Sequence, residues 1–338
     1  MSVRRRSLSR FDALVGHRVV VRSTVPGERG PSGGPAFTDV IGRLLDHDGT
    51  TLRIQRRDGS EVDVATSTVV AAKTVPEGRA RVRTRPALDY SPEELAEICT
   101  RGWPPRVLEP LGRWSLRAAG GFSGRANSAG VHGDPGTGFE DALARVEDFY
   151  VSQSLPPKAQ VIDETPWARR FTDAGWTGIG GTRDHAVVQV ADVATVLSTA
   201  PARPSDVTVT LEPTLTADWL AAAERDADAY DPHDVQHVLA SPRFVVFASV
   251  RGDQGLEAVA RMVVTGEWAG LSSVHTSPHA RRRGHAARLL EACAEWARDE
   301  GADKVYLQTM QHNTAALALY ARYGFVTHHT YRYVTPTR

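Results

Sequence analysis

The segment 281–287 combines positive charge with small side chains, directly before an amphipathic helical pattern. Three consecutive arginines occupy 281–283, and Gly284 and Ala286 follow at a spacing that leaves backbone N–H groups accessible to a ligand. The start of a helix has unpaired N–H groups and the positive end of the helix dipole, and both favour an anion. The segment therefore suits a pyrophosphate, although a solvated arginine-rich turn has the same composition.

A second group of residues follows the next predicted strand, 305–309. Asn313 precedes an alanine- and leucine-rich run that predicts a helix over 314–323, and Tyr320 lies on that helix seven residues after the asparagine. The pair Gly324-Phe325 then leads into the predicted last strand. This strand–helix–strand order lies directly downstream of the arginine-rich segment and its helix.

Together these two segments resemble the GNAT superfamily of acyl-CoA-dependent N-acyltransferases. The acetyl-CoA loop of that family reads Q/R-x-x-G-x-G/A, which Arg281, Gly284 and Ala286 match. The later helix pattern of the family is matched by Asn313, Tyr320, Gly324 and Phe325. The resemblance extends over residues 206–334.

The resemblance implies that acetyl-CoA is the acyl donor and lies between two splayed parallel strands. Its pantetheine would pair with backbone on the strand 271–276, and Asn313 would orient it near the thioester. Tyr320 would protonate the departing thiolate, a role that suits a phenol because its ordinary pKa is about 10. A buried tyrosine bonded to a local acceptor is the alternative. The resemblance assigns these residues to the cofactor: Val274, His275, Thr276, Arg281, Arg282, Arg283, Gly284, His285, Ala286, Ala287 and Asn313.

Two residues are candidates for the general base that takes the proton of the incoming amine. Some family members carry a glutamate five residues before the asparagine, but this chain has Gln308 there, which cannot act as a base. Glu267 is assigned to catalysis, and its alternative is a surface residue in a hairpin beside Gly266. His275 is the second candidate, and its alternative is to cover the cofactor.

The elements that position these residues fall into three predicted domains, 1–80, 86–200 and 206–338. The first contains short alternating strands, with Asp-Gly turns at 48–49 and 58–59, and resembles an SH3-like barrel. Such a barrel either binds nucleic acid or a peptide, or serves as a docking module. The predicted fold class is α/β, the GNAT fold with a mixed sheet flanked by helices, preceded by an all-β SH3-like barrel.

The middle domain is predicted to be a degenerate GNAT-like half. Its pattern repeats that of the last domain, with Phe171 in the place of Tyr320 and no arginines before the helix 139–153. This tandem arrangement resembles mycothiol synthase; the alternative is an unrelated α/β segment. Within this half Arg125, Asn127 and Ser128 are assigned to substrate binding, because a cation and polar groups can hold a carboxylate or another polar substrate. A hairpin with a structural hydrogen-bond network is the alternative.

Composition and charge limit the class of protein. The chain has 338 residues, 40 Lys plus Arg and 40 Asp plus Glu, but residues 1–85 hold 16 basic against 9 acidic side chains and carry +7. Two cysteines do not make a disulfide scaffold, and no apolar run reaches the roughly 18 residues of a membrane helix. We therefore expect a cytoplasmic protein without a membrane segment. The oligomeric state stays open.

The sequence thus predicts an acetyl-CoA-dependent N-acetyltransferase without a metal. The acceptor would be the amine of a small molecule or a peptide, attacking the thioester directly in a ternary complex. The alternative is a non-catalytic acyl-CoA sensor whose N-terminal barrel binds nucleic acid or a protein, an idea motivated only by the positive charge of residues 1–85.

Overall fold

The computed structural model describes residues 11–29, 35–56, 60–74, 85–181, 184–200, 207–223, 229–253 and 255–337. The chain divides into two compact units, Met1–Ala80 and Arg81–Arg338. The Asp-Gly turn predicted at 58–59 lies outside the described residues.

The first unit is a five-stranded antiparallel sheet with the order β4-β3-β2-β1-β5. Its strands are β1 (Arg18–Arg29), β2 (Pro35–His47), β3 (Thr51–Gln55), β4 (Glu61–Ala65) and β5 (Val69–Thr74). Alternate residues such as Leu52 and Ile54 point into one apolar core, as the period of two predicts. The small all-β unit expected from the sequence is present.

The second unit is built on one twelve-stranded mixed sheet. Its strands are β6 (Val107–Leu111), β7 (Trp114–Ala118), β8 (Ala129–Val131), β9 (Ala159–Ile162), β10 (Trp176–Gly178), β11 (His185–Asp192), β12 (Val209–Glu212), β13 (Val245–Gly252), β14 (Gly255–Thr265), β15 (Trp268–Thr276), β16 (Lys304–Met310) and β17 (Val326–Pro336). The order is β12-β13-β14-β15-β16-β11-β17-β9-β8-β7-β6, and β10 pairs with β17.

Eight helices accompany this sheet in the described residues. They are α1 (Pro92–Gly102), α2 (Phe139–Ser152), α3 (Pro166–Asp173), α4 (Val193–Thr199), α5 (Ala217–Ala222), α6 (Pro232–Ala240), α7 (His285–Asp299) and α8 (Thr314–Arg322). Ser91 and Glu94 form a capping box at the start of α1, because the side chain of each bonds the other's backbone. Leu289, Leu290 and Cys293 on α7 are buried in the core beneath the sheet, as the helical period predicts.

The two halves of the sheet exchange strands. β11 from the first half lies between β16 and β17 of the second half, and β17 in turn pairs with β9 of the first half. Each half also contains a parallel strand pair joined by a helix, β8–α2–β9 and β15–α7–β16. Residues 85–337 therefore form one continuous sheet with a repeated internal pattern, while the exact domain boundary near residue 200 stays a prediction.

Candidate active site

The site begins where β15 and β16 separate. The two strands pair in parallel only over Trp268–Leu271 and Lys304–Leu307, although β15 continues to Thr276. On its other side β15 carries one extra residue against β14, because Val259 faces His275 whereas Arg261 faces Ser272. This β-bulge includes Ser273, which has a positive φ of 53° and a buried Oγ without a hydrogen-bond partner among the described residues. The bulge bends β15 away from β16 and opens the sheet.

A cleft of about 820 Å³ occupies this opening. β15 forms one wall, the ends of β16 and α8 form the other, and the start of α7 closes one end. The cleft is lined by these residues that the sequence assigned to the cofactor: Val274, His275, Thr276, Arg281, Arg282, Gly284, His285, Ala286, Ala287 and Asn313. Tyr320 and Arg125 also line it. The structure thus brings together most of the predicted site.

The arginine-rich segment forms the anion-binding end of the cleft. Gly284 is the N-cap of α7 and adopts a left-handed φ of 86°, which glycine permits at no steric cost. His285 behind it bonds Glu257 at 3.0 Å between Nε2 and Oε2, and both side chains are largely buried. Arg283 does not line the cleft; its guanidinium points toward Glu257, 3.9 Å away. The charge offered to a ligand here comes from Arg281, Arg282 and the helix N-terminus.

Tyr320 on α8 lines the wall of the cleft. It is 5% exposed and packs against Phe325. Burial raises the pKa of its hydroxyl well above the usual range of a phenol, so the group stays protonated at neutral pH. Its hydroxyl bonds no other residue in the part of the chain that the structure describes. It is therefore a protonated donor that faces the cleft.

Asn313 and Gln308 frame the same region. The Oδ1 atom of Asn313 accepts from the backbone N–H of Ala316 at 3.2 Å, so this residue caps α8 while its Nδ2 stays available to the cleft. The Oε1 atom of Gln308 accepts from the hydroxyl of Tyr331 at 2.8 Å. Sequence analysis anticipated a ligand role for Asn313 but not its second role as the N-cap.

Arg125 lies where the cleft meets a smaller cavity. Its guanidinium stacks on the indole of Trp103, 4.3 Å from the ring centroid, and the Trp103 Nε1 donates to Ser123 Oγ. The small cavity has a volume of about 10 Å³, and both it and the cleft are lined by Arg125 and Gln308. Arg125 therefore lies at the Gln308 end of the cleft, away from the loop that begins α7.

Asn127 and Ser128, the other residues assigned to substrate, do not line the cleft. The side chain of Asn127 is buried, accepts from two backbone N–H groups and donates to the carbonyls of Phe122 and Ser123. Ser128 is buried and donates to the carbonyl of Gly124. Both side chains hold the loop before β8, which is the structural alternative that the sequence left open.

Glu267 is not brought to the cleft either. It lies in the turn between β14 and β15, at the end where β15 and β16 are still paired. Its carboxylate accepts from the hydroxyl of Tyr90 and pairs with the buried Nζ of Lys304 at 3.2 Å. The carboxylate is thus part of a structural ion pair rather than a group that faces the open end of the strands.

Two residues beside the cleft were not predicted from the sequence to belong to the site. Trp103 ends α1 and supports Arg125, and Arg117 on β7 lines the small cavity. Arg117 could have been found from the sequence, because it lies in the mostly apolar pattern of β7 and arginine is seldom buried without a partner. For Trp103 the only sequence signal was its position directly before two prolines.

The family profile described as "Probable histone acetyltransferase Rv0428c C-terminal" matches residues 93–334, which is more than half of the chain. The chain belongs to this family of GNAT acetyltransferases. A second profile, described as "Rv0428c N-terminal Sm-like domain", matches residues 13–73. The N-terminal unit is therefore described as Sm-like, and the SH3-like barrel expected from the sequence stays a prediction.

Two curated relatives agree with this assignment. The probable histone acetyltransferase Rv0428c of Mycobacterium tuberculosis is 29% identical over 327 residues, which cover 95% of each chain. The uncharacterized N-acetyltransferase YobR of Bacillus subtilis is 25% identical over 248 residues, 71% of this chain and 97% of the relative. The chain is an acyltransferase of the GNAT type.

A solved structure supports the fold of the second unit. The tandem GNAT protein from the clavulanic acid biosynthesis pathway aligns with a TM-score of 0.51 at 14% identity, covering 72% of this chain and 89% of that one. At this identity the likeness concerns the fold alone. The expectation of a GNAT fold is confirmed, and the similar structures include a tandem member.

In the described residues no group of three His, Cys, Asp or Glu side chains is placed to hold a metal ion. No helix there is long and apolar enough to cross a membrane. Cys99 and Cys293 are both free and buried, and burial raises the pKa of each thiol to about 12. The cytoplasmic location stays a prediction.

Proposed function

We propose that the protein transfers the acetyl group of acetyl-CoA to an amine by direct attack in a ternary complex. The observation that carries the proposal is the cleft between the diverging ends of β15 and β16, which has an anion-binding loop at one end and the protonated Tyr320 in its wall. The relatives named as acetyltransferases favour this function over a non-catalytic acyl-CoA sensor.

The residues present fit the acyl donor. Beyond Leu271 the side of β15 that faces β16 is unpaired, so the backbone of 272–276 offers hydrogen-bonding groups to an extended amide chain such as pantetheine. The buried Ser273 Oγ supplies a further polar group without a partner in the described structure. Arg281, Arg282 and the first N–H groups of α7 would hold the pyrophosphate. Acetyl-CoA would supply an activated thioester carbonyl.

Tyr320 provides the acid for the reaction. The amine nitrogen forms a bond to the acetyl carbon while the carbon–sulfur bond breaks, and Tyr320 gives its proton to the departing sulfur. Burial keeps the phenol protonated at neutral pH, so the proton donor is in place when the thiolate begins to form. The amine loses its surplus proton, and Tyr320 is reprotonated from solvent.

His275 is the residue of the described cleft that we propose as proton acceptor for the amine. Glu267 lies at the wrong end of the strands and is bound by Lys304, and His285 is bound by Glu257. His275 lines the cleft two residues beyond Ser273, and a nitrogen of a neutral imidazole can accept a proton. Replacing it with glutamine is expected to shift the activity to higher pH, where more of the amine is already deprotonated.

A turnover assay tests the proposed function. The full chain is incubated with acetyl-CoA and a panel of primary amines, and the release of free thiol is followed. At least one amine is expected to accelerate thiol release above hydrolysis and to appear as its N-acetyl derivative by mass spectrometry. A panel in which no amine does so, with acetyl-CoA bound, contradicts an acetyl transfer to amines.

A further inference from the structure

The end of the cleft that Gln308 and Arg125 line is cationic. Among the residues that the structure describes, no aspartate or glutamate lines either the cleft or the small cavity beside it. Both are lined by Arg125, and the small cavity is also lined by Arg117. The charge at this end is therefore positive and is not balanced within the lining.

Arg125 is arranged as an unused anion-binding group. Its guanidinium is held flat against the indole of Trp103, which is itself fixed by a 2.8 Å hydrogen bond to Ser123 Oγ. No residue in the described ranges accepts a hydrogen bond from the side chain of Arg125 or forms an ion pair with it. A guanidinium has five N–H donors in a planar fork that matches a carboxylate, and here all of them are unused.

Arg117 adds a second, independent observation. It is 3% exposed and donates to Ser128, Thr100 and Gln160, all of which are neutral. It has no carboxylate partner within the described chain, and burial lowers the pKa of its guanidinium. A buried cation without a counter-ion is unfavourable, so a bound anion beside the shared cavity would offset this cost.

The groups that surround these arginines do not cancel their charge. Burial raises the pKa of Tyr331 and of Tyr333, so both phenols are neutral, and Gln308 is an uncharged amide. Two carboxylates of this unit are already paired, Asp163 with Arg332 on β17 and Asp234 on α6 with Arg106. The low-dielectric surroundings strengthen the attraction for an anion.

We propose that the acceptor is an amine that also carries a carboxylate, and that Arg125 binds this carboxylate so that the amine points to the thioester. The inference rests on the proposed acetyl transfer and names its substrate class. The competing class is a polycationic acceptor such as a lysine-rich protein tail, which the histone acetyltransferase description of the family points to and which would face Arg125 without a matching negative charge.

Matched pairs of acceptors test the inference with the full chain. A series of α-, β- and γ-amino acids is compared with the corresponding carboxamides, and spermidine and a lysine-rich peptide serve as cationic acceptors. The best amino acid is expected to exceed its carboxamide by about tenfold or more in kcat/KM, which corresponds to about 1.4 kcal/mol. Equal or better turnover of the carboxamides or cationic amines overturns the carboxylate assignment while leaving acetyl transfer intact.

Variants of Arg125 identify the residue responsible. Arg125→Gln is expected to raise KM for the amino acid about tenfold or more with little change in the Kd for acetyl-CoA, and Arg125→Glu to reverse the preference toward the carboxamide. Arg298→Gln, on the exposed side of α7, removes a guanidinium away from the cleft and serves as the control. An unchanged preference in Arg125→Glu contradicts the proposal, whereas loss of acetyl-CoA binding in the wild type contradicts the proposed function itself.

Discussion

Tyr320 and Phe171 show how one hydroxyl distinguishes the two halves of the second unit. Both lie on the helix that follows the second strand of a parallel pair, and both are buried against aromatic or apolar neighbours. Tyr320 lines the cleft, whereas Phe171 is fully enclosed in a cluster with Trp114 and Phe139. Under the proposed mechanism, the first half lacks the hydroxyl that would protonate the thiolate, because phenylalanine occupies the corresponding position.

Tyr320→Phe is expected to lower kcat by about 100-fold or more, because general acid catalysis contributes about 10²–10⁴. The Kd for acetyl-CoA is expected to stay near that of the wild type. Steady-state kinetics and calorimetry measure the two quantities. Tyr323→Phe is the matched control, since its hydroxyl donates to Glu291 outside the cleft lining; it is expected to keep kcat and lose stability. An equal kcat in Tyr320→Phe removes this residue from the acid role.

Asn313 combines two functions that substitution can separate. Asn313→Ala removes the cap of α8 and is expected to cost about 1 kcal/mol of unfolding free energy, whereas Asn313→Ser keeps a capping oxygen and most of the stability. Both substitutions remove the side-chain Nδ2 of Asn313, so both are expected to lower kcat by a similar factor. Urea unfolding and kinetics on the same samples test this. Equal stability of the two variants would show that the cap contributes little.

At the scale of elements, the bulge in β15 creates the opening. Ser273 has a left-handed φ of 53°, which glycine adopts freely and a β-branched residue adopts only with strain. Ser273→Gly is therefore expected to keep or raise stability, and Ser273→Val to lower it by about 1–3 kcal/mol. Urea unfolding measures the difference. Equal stability of the two variants means that the bulge relaxes without cost.

Much at this scale follows from the sequence. The capping box of α1, the buried face of α7 and the alternating strands of the first unit are local patterns, so one sequence suffices to predict them. The strand exchange is not predictable in this way, because the period of two in β11 or β17 does not specify which strand is the partner. The sequence also does not show which end of β15 pairs with β16. Glu267 was therefore predicted to be a catalytic residue, although it lies at the paired end of that strand.

At the scale of the whole molecule, the buried His132 and the half-buried His329 link stability to pH. Burial lowers the pKa of His132 and of His329 to about 3. Neither ring nitrogen of His132 has a hydrogen-bond partner in the described chain, so its charged form is unsupported. In the unfolded chain a histidine has a pKa of about 6.5, so it binds a proton more readily there than in the folded protein. The free energy of unfolding is therefore highest above that pH and decreases as the pH falls below it.

Each histidine is expected to lower the free energy of unfolding by about 2 kcal/mol when the pH falls from 7 to 5. All seven tryptophans lie in the second unit, so their fluorescence during urea unfolding reports on that unit. The double variant His132→Gln with His329→Gln is expected to flatten the decline. If the wild type is as stable at pH 5 as at pH 7, these histidines are not buried as neutral groups.

The proposed reaction requires that the cleft between β15 and β16 binds acetyl-CoA. Calorimetric titration of the full chain with acetyl-CoA measures this binding, with Arg281→Glu as a variant of the anion-binding end. We expect one site per chain, with a Kd below the high micromolar range and clearly weaker binding in the variant. Absence of binding heat at high micromolar acetyl-CoA, confirmed by a second binding method, would contradict binding of acetyl-CoA in this cleft.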